Sequence, residues 1–248
     1  MTARALSIVD VSVHFGGLVA VDAVSMAIPR GGRHGILGPN GAGKTTLFNA
    51  VTGFVPLASG KVALGDEDIT AENAAMRARK GLGRTFQITN LMPTLSTFEN
   101  ILLGAISYAD ERRSWWKPYR ARIESTSRAD RIIEQVGLGE VADRTISELS
   151  YGDKRKVELA LALAAEPSVL LLDEPTAGLS VAERNSMVEL LSAMPEDLTT
   201  VVIEHDMEVM FALANSITVL HHGAEVVTGY ADDIKRDPQV KEIYLGSE

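Results

Sequence analysis

Four short stretches place side chains where they could do chemistry on a phosphate. "GPNGAGKT", Gly38 to Thr45, matches the spacing G-x-x-x-x-G-K-[ST], in which glycines let successive backbone N–H groups converge on phosphate oxygens at a helix start. Gly38, Pro39, Asn40, Gly41, Ala42 and Gly43 would form that cradle. Lys44 would reach the β- and γ-phosphates, Thr45 would ligate Mg2+, and Thr46 completes the binding stretch. "VLLLDEP" reads as a buried strand that delivers Asp173 and Glu174 at its C-terminal end, where ligands bind in open α/β sheets. Asp173 would hold Mg2+ through water, and Glu174 would polarise the water that attacks the γ-phosphate. "TTVVIEH" ends at His205, which by residue type could donate to that phosphate or orient the water. A histidine at a strand end is more often structural, and the catalytic reading rests on its position beside the same site. Gln87, at the end of "GLGRTFQ", carries a neutral amide that can touch Mg2+ or the water and swing away without leaving a buried charge. His221 and His222 have no such support and read as solvated residues at a strand end.

A second helix start raises a separate question. In "ELSYGDKRKVELALALA", Glu148 to Ala164, a Ser-aromatic-Gly-Asp turn precedes a strongly helical run and looks built to hold an anion. One nucleotide does not need both loops.

The elements that must position these groups follow from periodicity. Val9, Val11, Val13 and Phe15 alternate, as do Val24, Met26 and Ile28, so an antiparallel pair opens the fold. "HGILG" is a short strand feeding the glycine-rich loop, "KTTLFNAVTG" a helix stopped at Gly53, and "GKVALGDEDIT" a hairpin. From about Leu91 helical signals take over. Ser96 and Glu99 form a capping box, and "RIESTSRADRIIEQVGL" is a helix closed at Gly137. After Pro167, strand and helix alternate through "SVLLLDEP", "SVAERNSMVELLSAM", "TTVVIEH", "MEVMFALAN" and "SITVLHHG", the pattern of a parallel, doubly wound sheet. The chain divides into an α/β lobe, residues 1–89 and 166–248, and an inserted helical lobe, residues 90–165.

Bulk properties narrow the function. The 248 residues are 46% hydrophobic and 23% charged, enough for one unit with a substantial core. A net charge of −9 argues against a general nucleic-acid binder. There is no cysteine, hence no disulfide framework or thiolate metal site. The N-terminal stretch lacks the pattern of a secretory signal. "LALALAAEPSVLLL" is interrupted by Glu166 and Pro167 and falls short of the ~20 apolar residues a membrane span requires. Any membrane-spanning part is expected from a partner.

The order Gln87, "LSYGD", "LLLDEP", His205 resembles the ATP-binding cassette family over nearly the whole chain. The resemblance implies a P-loop NTPase core of RecA-like type, an N-terminal antiparallel β subdomain and an inserted α-helical subdomain in one nucleotide-binding domain, with ATP and Mg2+ as ligands. It also answers the question of the two loops. In that family the short signature, here Leu149 to Asp153, closes over ATP held by the phosphate loop of a second cassette. Ser150 and Gly152 would then bind the γ-phosphate of a partner's ATP, and hydrolysis would remove the anion that holds the two together. Phe15 falls where the family places an aromatic that stacks on adenine, although its place at the end of an alternating strand also fits a core residue. Tyr151 and Asp153 stand where the commonest signature has Gly and Gln, and Ser180 where many members have Asp. The Ser180 departure bears on how the two sites communicate.

"HFGGLVAVDAVS", "GRTFQ" and "PQVKEIYLG" look like the ATPase subunits of branched-chain amino-acid uptake transporters, with urea or amide importers and lipopolysaccharide exporters as relatives. Implied partners are a second cassette, more often a homologous chain than a self-copy, membrane permease subunits and, indirectly, a solute-binding protein, at the cytoplasmic face of a membrane. No nucleic-acid partner is expected. A soluble cassette acting on nucleic acid or ribosomes would bring two fused cassettes or a basic insertion. A module that binds without hydrolysing could do without Glu174. Trp115, Trp116 and Tyr119 read as anchors of a loop onto the helical lobe, with a membrane-facing role as the alternative.

Overall fold

Each of the five residues from Val169 to Asp173 is buried, because the strand they form is covered on both faces. The computed structural model describes residues 4–85, 91–108 and 123–245. Its strands are β1 (Arg4–Phe15), β2 (Leu18–Pro29), β3 (Arg33–Leu37), β4 (Ser59–Leu64), β5 (Glu67–Asp68), β6 (Leu82–Arg84), β7 (Val169–Asp173), β8 (Thr199–Ile203), β9 (Ser216–His221) and β10 (Ala224–Tyr230). The helices are α1 (Lys44–Val51), α2 (Ala74–Arg79), α3 (Thr97–Tyr108), α4 (Ile123–Gln135), α5 (Tyr151–Leu163), α6 (Val181–Ser192), α7 (Met207–Leu213), α8 (Ala231–Ile234) and α9 (Pro238–Leu245).

One sheet runs β2-β1-β4-β5 and is antiparallel; the other runs β10-β9-β3-β8-β7-β6 and is parallel except for the edge strand β10. Successive side chains on a strand point to opposite faces, so the parallel strands feed two cores. Leu170, Leu172, Val202, Ile217 and Val219 pack with Ile101, Ile133, Val157, Leu191 and Met210 from the helices. Val169, Leu171, Val201, Ile203 and Ile36 pack with Leu47 and Phe48 of α1 and with Leu6, Val13 and Ile28 of the antiparallel sheet. Fully burying one such side chain contributes about 1.5–3 kcal/mol. The parallel sheet is as expected from the strand–helix alternation, but the layer on its second face is largely β-sheet instead of helices.

The opening strand departs from simple alternation. Asp10 has φ 48°, its N–H donates to Ser25 Oγ at 2.9 Å, and the pairing register slips between Ile8 and Val11. This bulge moves the inward set from Leu6 and Ile8 to Val11 and Val13. Val9 is therefore on the outer face, 46% exposed, while Phe15, at the strand end beyond a further register shift between Val13 and His14, is 51% exposed.

Local signals place the helices. The backbone N–H of Ser96 donates to Glu99 Oε2 at 3.0 Å and that of Glu99 to Ser96 Oγ at 3.1 Å, closing the capping box ahead of α3. Gly53 at φ 80° and Gly137 at φ 68° follow α1 and α4 as stops. The last carbonyls of α1 find a partner the sequence did not advertise. Arg77, buried on α2, donates from Nη1 to Ala50 O at 2.9 Å and to Val51 O at 2.6 Å. Among the described residues, no helix is long and apolar enough to cross a membrane.

Candidate functional site

The glycine-rich loop joins β3 to α1, so the backbone leaves a buried parallel strand and turns at once into a helix N-terminus. Gly43 caps α1 at φ 93°, and a Cβ there would lie 2.5 Å from Ala20 O. Only glycine fits. Gly41, at φ 81°, has open space where its Cβ would be, so the backbone itself faces the cavity. Lys44 is buried, and its Nζ donates to Gly38 O at 2.6 Å and Pro39 O at 3.0 Å. Burial lowers its pKa, while the nearby Glu174 and Asp173 carboxylates act the other way.

An open cavity of ≈ 540 Å³ lies over this loop, lined among others by Phe15, Asn40, Lys44, Thr45, Thr46, Glu174 and His222. The exposed ring of Phe15 faces that cavity, which excludes its core reading. His222 is exposed as expected but also borders the cavity, a position that its residue type and spacing do not signal.

Asp173 ends β7, two strands from β3 with β8 between them. Its Oδ2 accepts from Arg84 Nη2 at 2.9 Å, and its Oδ1 is buried without a hydrogen-bond partner among the described residues. Burial pushes its pKa up; the Arg84 guanidinium opposes this. Arg84 also donates to Asn49 Oδ1 at 2.6 Å and Thr52 Oγ1 at 3.2 Å, tying the acidic strand end to α1. Among the described residues, no three His, Asp or Glu side chains cluster as a metal cage. A single carboxylate with one uncommitted buried oxygen, plus the Thr45 hydroxyl in the cavity, suits Mg2+, which is bound through one or two carboxylates, waters and substrate phosphates.

Glu174 follows in the left-handed region, φ 48°, with its N–H donating to Ile203 O at 3.0 Å. A non-glycine residue held there is strained, and such strain is common at working sites. His205 Nδ1 lies 3.8 Å from Glu174 Oε1. The structure thus brings Lys44, Asp173, Glu174 and His205 to one edge of the parallel sheet. Gln87, Trp115, Trp116 and Tyr119 lie outside the described residues.

Ser150 and Gly152 are not in that cavity. They line a separate one of ≈ 240 Å³ with Asp153, Lys156, Glu183 and Ser186. Ser150 caps α5, accepting from the Asp153 N–H at 3.0 Å and donating to Asp153 Oδ2 at 2.8 Å. The Gly152 N–H donates to Glu183 Oε1 at 3.2 Å. Glu183 also accepts, through Oε2, from the Ser180 N–H at 3.0 Å and Oγ at 2.7 Å, so Ser180 opens α6 with a capping box. Ser180 and the signature turn therefore share one carboxylate.

Sequence reasoning missed Arg84 and Glu204. Arg84 sits on a three-residue strand too short to show periodicity. A buried acid at a strand end does call for a nearby cation, and that requirement could have pointed to "GRTFQ".

A phosphate loop between a parallel strand and a helix, with β8 separating it from a strand that ends in an acidic pair, defines a P-loop ATPase with a RecA-like core. The chain belongs to the ABC transporter family, whose description residues 21–177 match. It is 34% identical over 256 residues to the high-affinity branched-chain amino acid transport ATP-binding protein LivG of Escherichia coli K12, across 99% of both chains. Identity to BraF of Pseudomonas aeruginosa, of the same description, is 33% over 253 residues and 99% of each chain. Among solved structures, the ATP-binding cassette MJ1267 in its ADP conformation superposes with a TM-score of 0.87 at 30% identity, over 99% of this chain and 100% of that one. CbiO1 of Clostridium perfringens, part of the complex cbiONQ, gives 0.83 at 27% identity, over 98% and 95%.

Proposed function

We propose that this chain is the ATPase subunit of an importer of branched-chain or chemically similar amino acids, seated on permease subunits at the cytoplasmic face of a membrane. The full-length similarity to LivG and BraF supports the substrate class. The hydrolytic assignment is carried by one observation: Glu174 lines the cavity that holds Lys44 and stands 3.8 Å from His205.

Phe15 stacks on the adenine, the Gly38–Thr46 loop wraps the phosphates, and Lys44 leaves its two backbone carbonyls for the β- and γ-phosphates. Thr45, Asp173 and Gln87 would hold Mg2+, which when bound would neutralise phosphate charge. Glu174 takes the proton of the attacking water, and His205 orients that water or the γ-phosphate. Ser150 and Gly152 serve the ATP of a second cassette, a homologous chain in preference to a copy, and residues 90–165 carry them as one lobe. Their separation from the Lys44 cavity supports this division.

Replacing Glu174 by Gln keeps the shape and removes the base. Turnover of ATP should fall at least tenfold, toward the ~10²–10⁴-fold contribution of general acid–base catalysis, with ATP binding retained. Wild-type turnover in Glu174→Gln would overturn the assignment of the base.

A further inference from the structure

His205 is bracketed by two acids, and both reach across to the segment that follows Glu174. Glu204 is fully buried. Its Oε1 accepts from the Thr176 N–H at 3.0 Å and from Thr176 Oγ1 at 2.8 Å, and its Oε2 is buried with no side-chain partner among the described residues. On the other side of His205, Asp206 Oδ2 accepts from Arg184 Nη1 at 2.5 Å at a half-buried site. The backbone adds a third tie, from the Glu174 N–H to Ile203 O at 3.0 Å.

A carboxylate in a fully buried site is costly to desolvate, and an apolar side chain there would avoid that cost. What Glu204 provides is an oxygen that accepts two donors from one residue. Thr176 lies two positions after Glu174, and Glu204 one position before His205, so this contact sets the spacing between the two loops that present them.

We propose that Glu204 is a positioning residue for hydrolysis, which through Thr176 fixes the turn carrying Glu174 against the strand end carrying His205. The inference rests on the assignment of Glu174 and His205 to the hydrolytic step. Among the described residues, Glu204 is not one of those that line the Lys44 cavity. It acts on the geometry of Glu174 and His205, where a misplacement of about 1 Å can cost on the order of 10²-fold in rate.

The test is steady-state ATP hydrolysis by full-length variants, in the assembly that supports wild-type turnover. Glu204→Ala should lower kcat about tenfold while KM for Mg-ATP stays within about twofold and the melting temperature shows that the fold survives. Glu204→Gln keeps the accepting oxygen and should recover kcat to within about threefold of wild type. Thr176→Val removes one donor and should cost about threefold, and adding it to Glu204→Ala should cost nothing more. Normal kcat in Glu204→Ala overturns the proposal, as does a loss carried by KM or by unfolding. Glu204→Gln as slow as Glu204→Ala also overturns it, since the charge would then be the active feature. If Glu204→Ala does not fold, Thr176→Val decides, and normal kcat there overturns the proposal. Glu174→Gln run in parallel separates the two readings. An active Glu174→Gln removes the hydrolytic assignment itself, whereas an inactive one beside a normal Glu204→Ala removes the positioning role alone.

Discussion

The turn at Gly38–Thr46 and the turn at Leu149–Asp153 are both glycine-containing helix starts, yet they differ in which of their groups are already bonded within the chain. At the first, a buried lysine and a glycine backbone face a cavity of ≈ 540 Å³, with the acids Asp173 and Glu174 on a different strand. At the second, the donors already have carboxylate partners in the same chain: the Ser150 hydroxyl donates to Asp153 Oδ2 and the Gly152 N–H to Glu183 Oε1. A helix N-terminus attracts anions in both places. At the first the lysine, Lys44, is bonded to the loop's own carbonyls, whereas at the second Lys156 stands beside the Asp153 and Glu183 carboxylates that already occupy the turn. A nucleotide can therefore bind to the first loop unaided, whereas an incoming phosphate at the second must exchange with a resident carboxylate. That difference matches a division of labour in which one loop holds ATP and the other reads ATP held elsewhere.

Lys44→Ala attacks the comparison at its strongest point. Charge-assisted hydrogen bonds are worth about 1.5–3 kcal/mol each, so losing those to two phosphates should weaken ATP binding by about 10²-fold or more, read by titration calorimetry. An unchanged affinity would mean that the first loop does not depend on its cation.

The footing of the first loop is sensitive to acid. His34, on β3 four residues before Gly38, is buried between Ser216 Oγ at 2.7 Å and Thr218 Oγ1 at 3.0 Å. Burial lowers its pKa from 6.5 to about 4. Between those values the unfolded chain takes up a proton that the folded chain refuses, so stability is full above about 6.5 and declines as the pH falls toward about 4. The loss is about 3 kcal/mol at most. Thermal melts of His34→Gln should show a shallower decline over that window than the wild type, and an identical decline would locate the acid sensitivity elsewhere.

Phe15→Ala should have a smaller effect. Stacking on a base contributes about 1–3 kcal/mol, and the exposed ring supports no core, so ATP affinity should drop by about 5- to 100-fold with the melting temperature unchanged. A fall in melting temperature with intact affinity would assign the ring to packing.

The ease of reading these two regions from sequence also differs. "GPNGAGKT", the apolar run before Asp173 and Glu174, and the Ser96 capping box each combine a local rule with a local consequence, so spacing alone places them. Val9 alternates with Val11 and Val13 in the sequence but faces outward, because the bulge at Asp10 separates it from them, and a bulge leaves no trace in an alternating pattern. Arg84, Glu204 and Glu183 act on partners 89, 28 and 31 positions away, respectively. Nothing in their own neighbourhoods announces such contacts. Ser180 and Tyr151, noted in the sequence as departures, turn out to border one another's loops. The Tyr151 ring packs on Gly178, and Glu183 links Ser180 to Gly152.

The most direct test of the division between the loops is the affinity of Ser150→Ala for ATP, measured by calorimetry at a protein concentration where the chain is monomeric. If the second turn serves only the ATP of another cassette, the variant should bind one ATP per chain with a Kd within about twofold of wild type, because no partner is present to be clamped. A loss of affinity comparable to that of Lys44→Ala would place both turns on the same nucleotide and contradict the account.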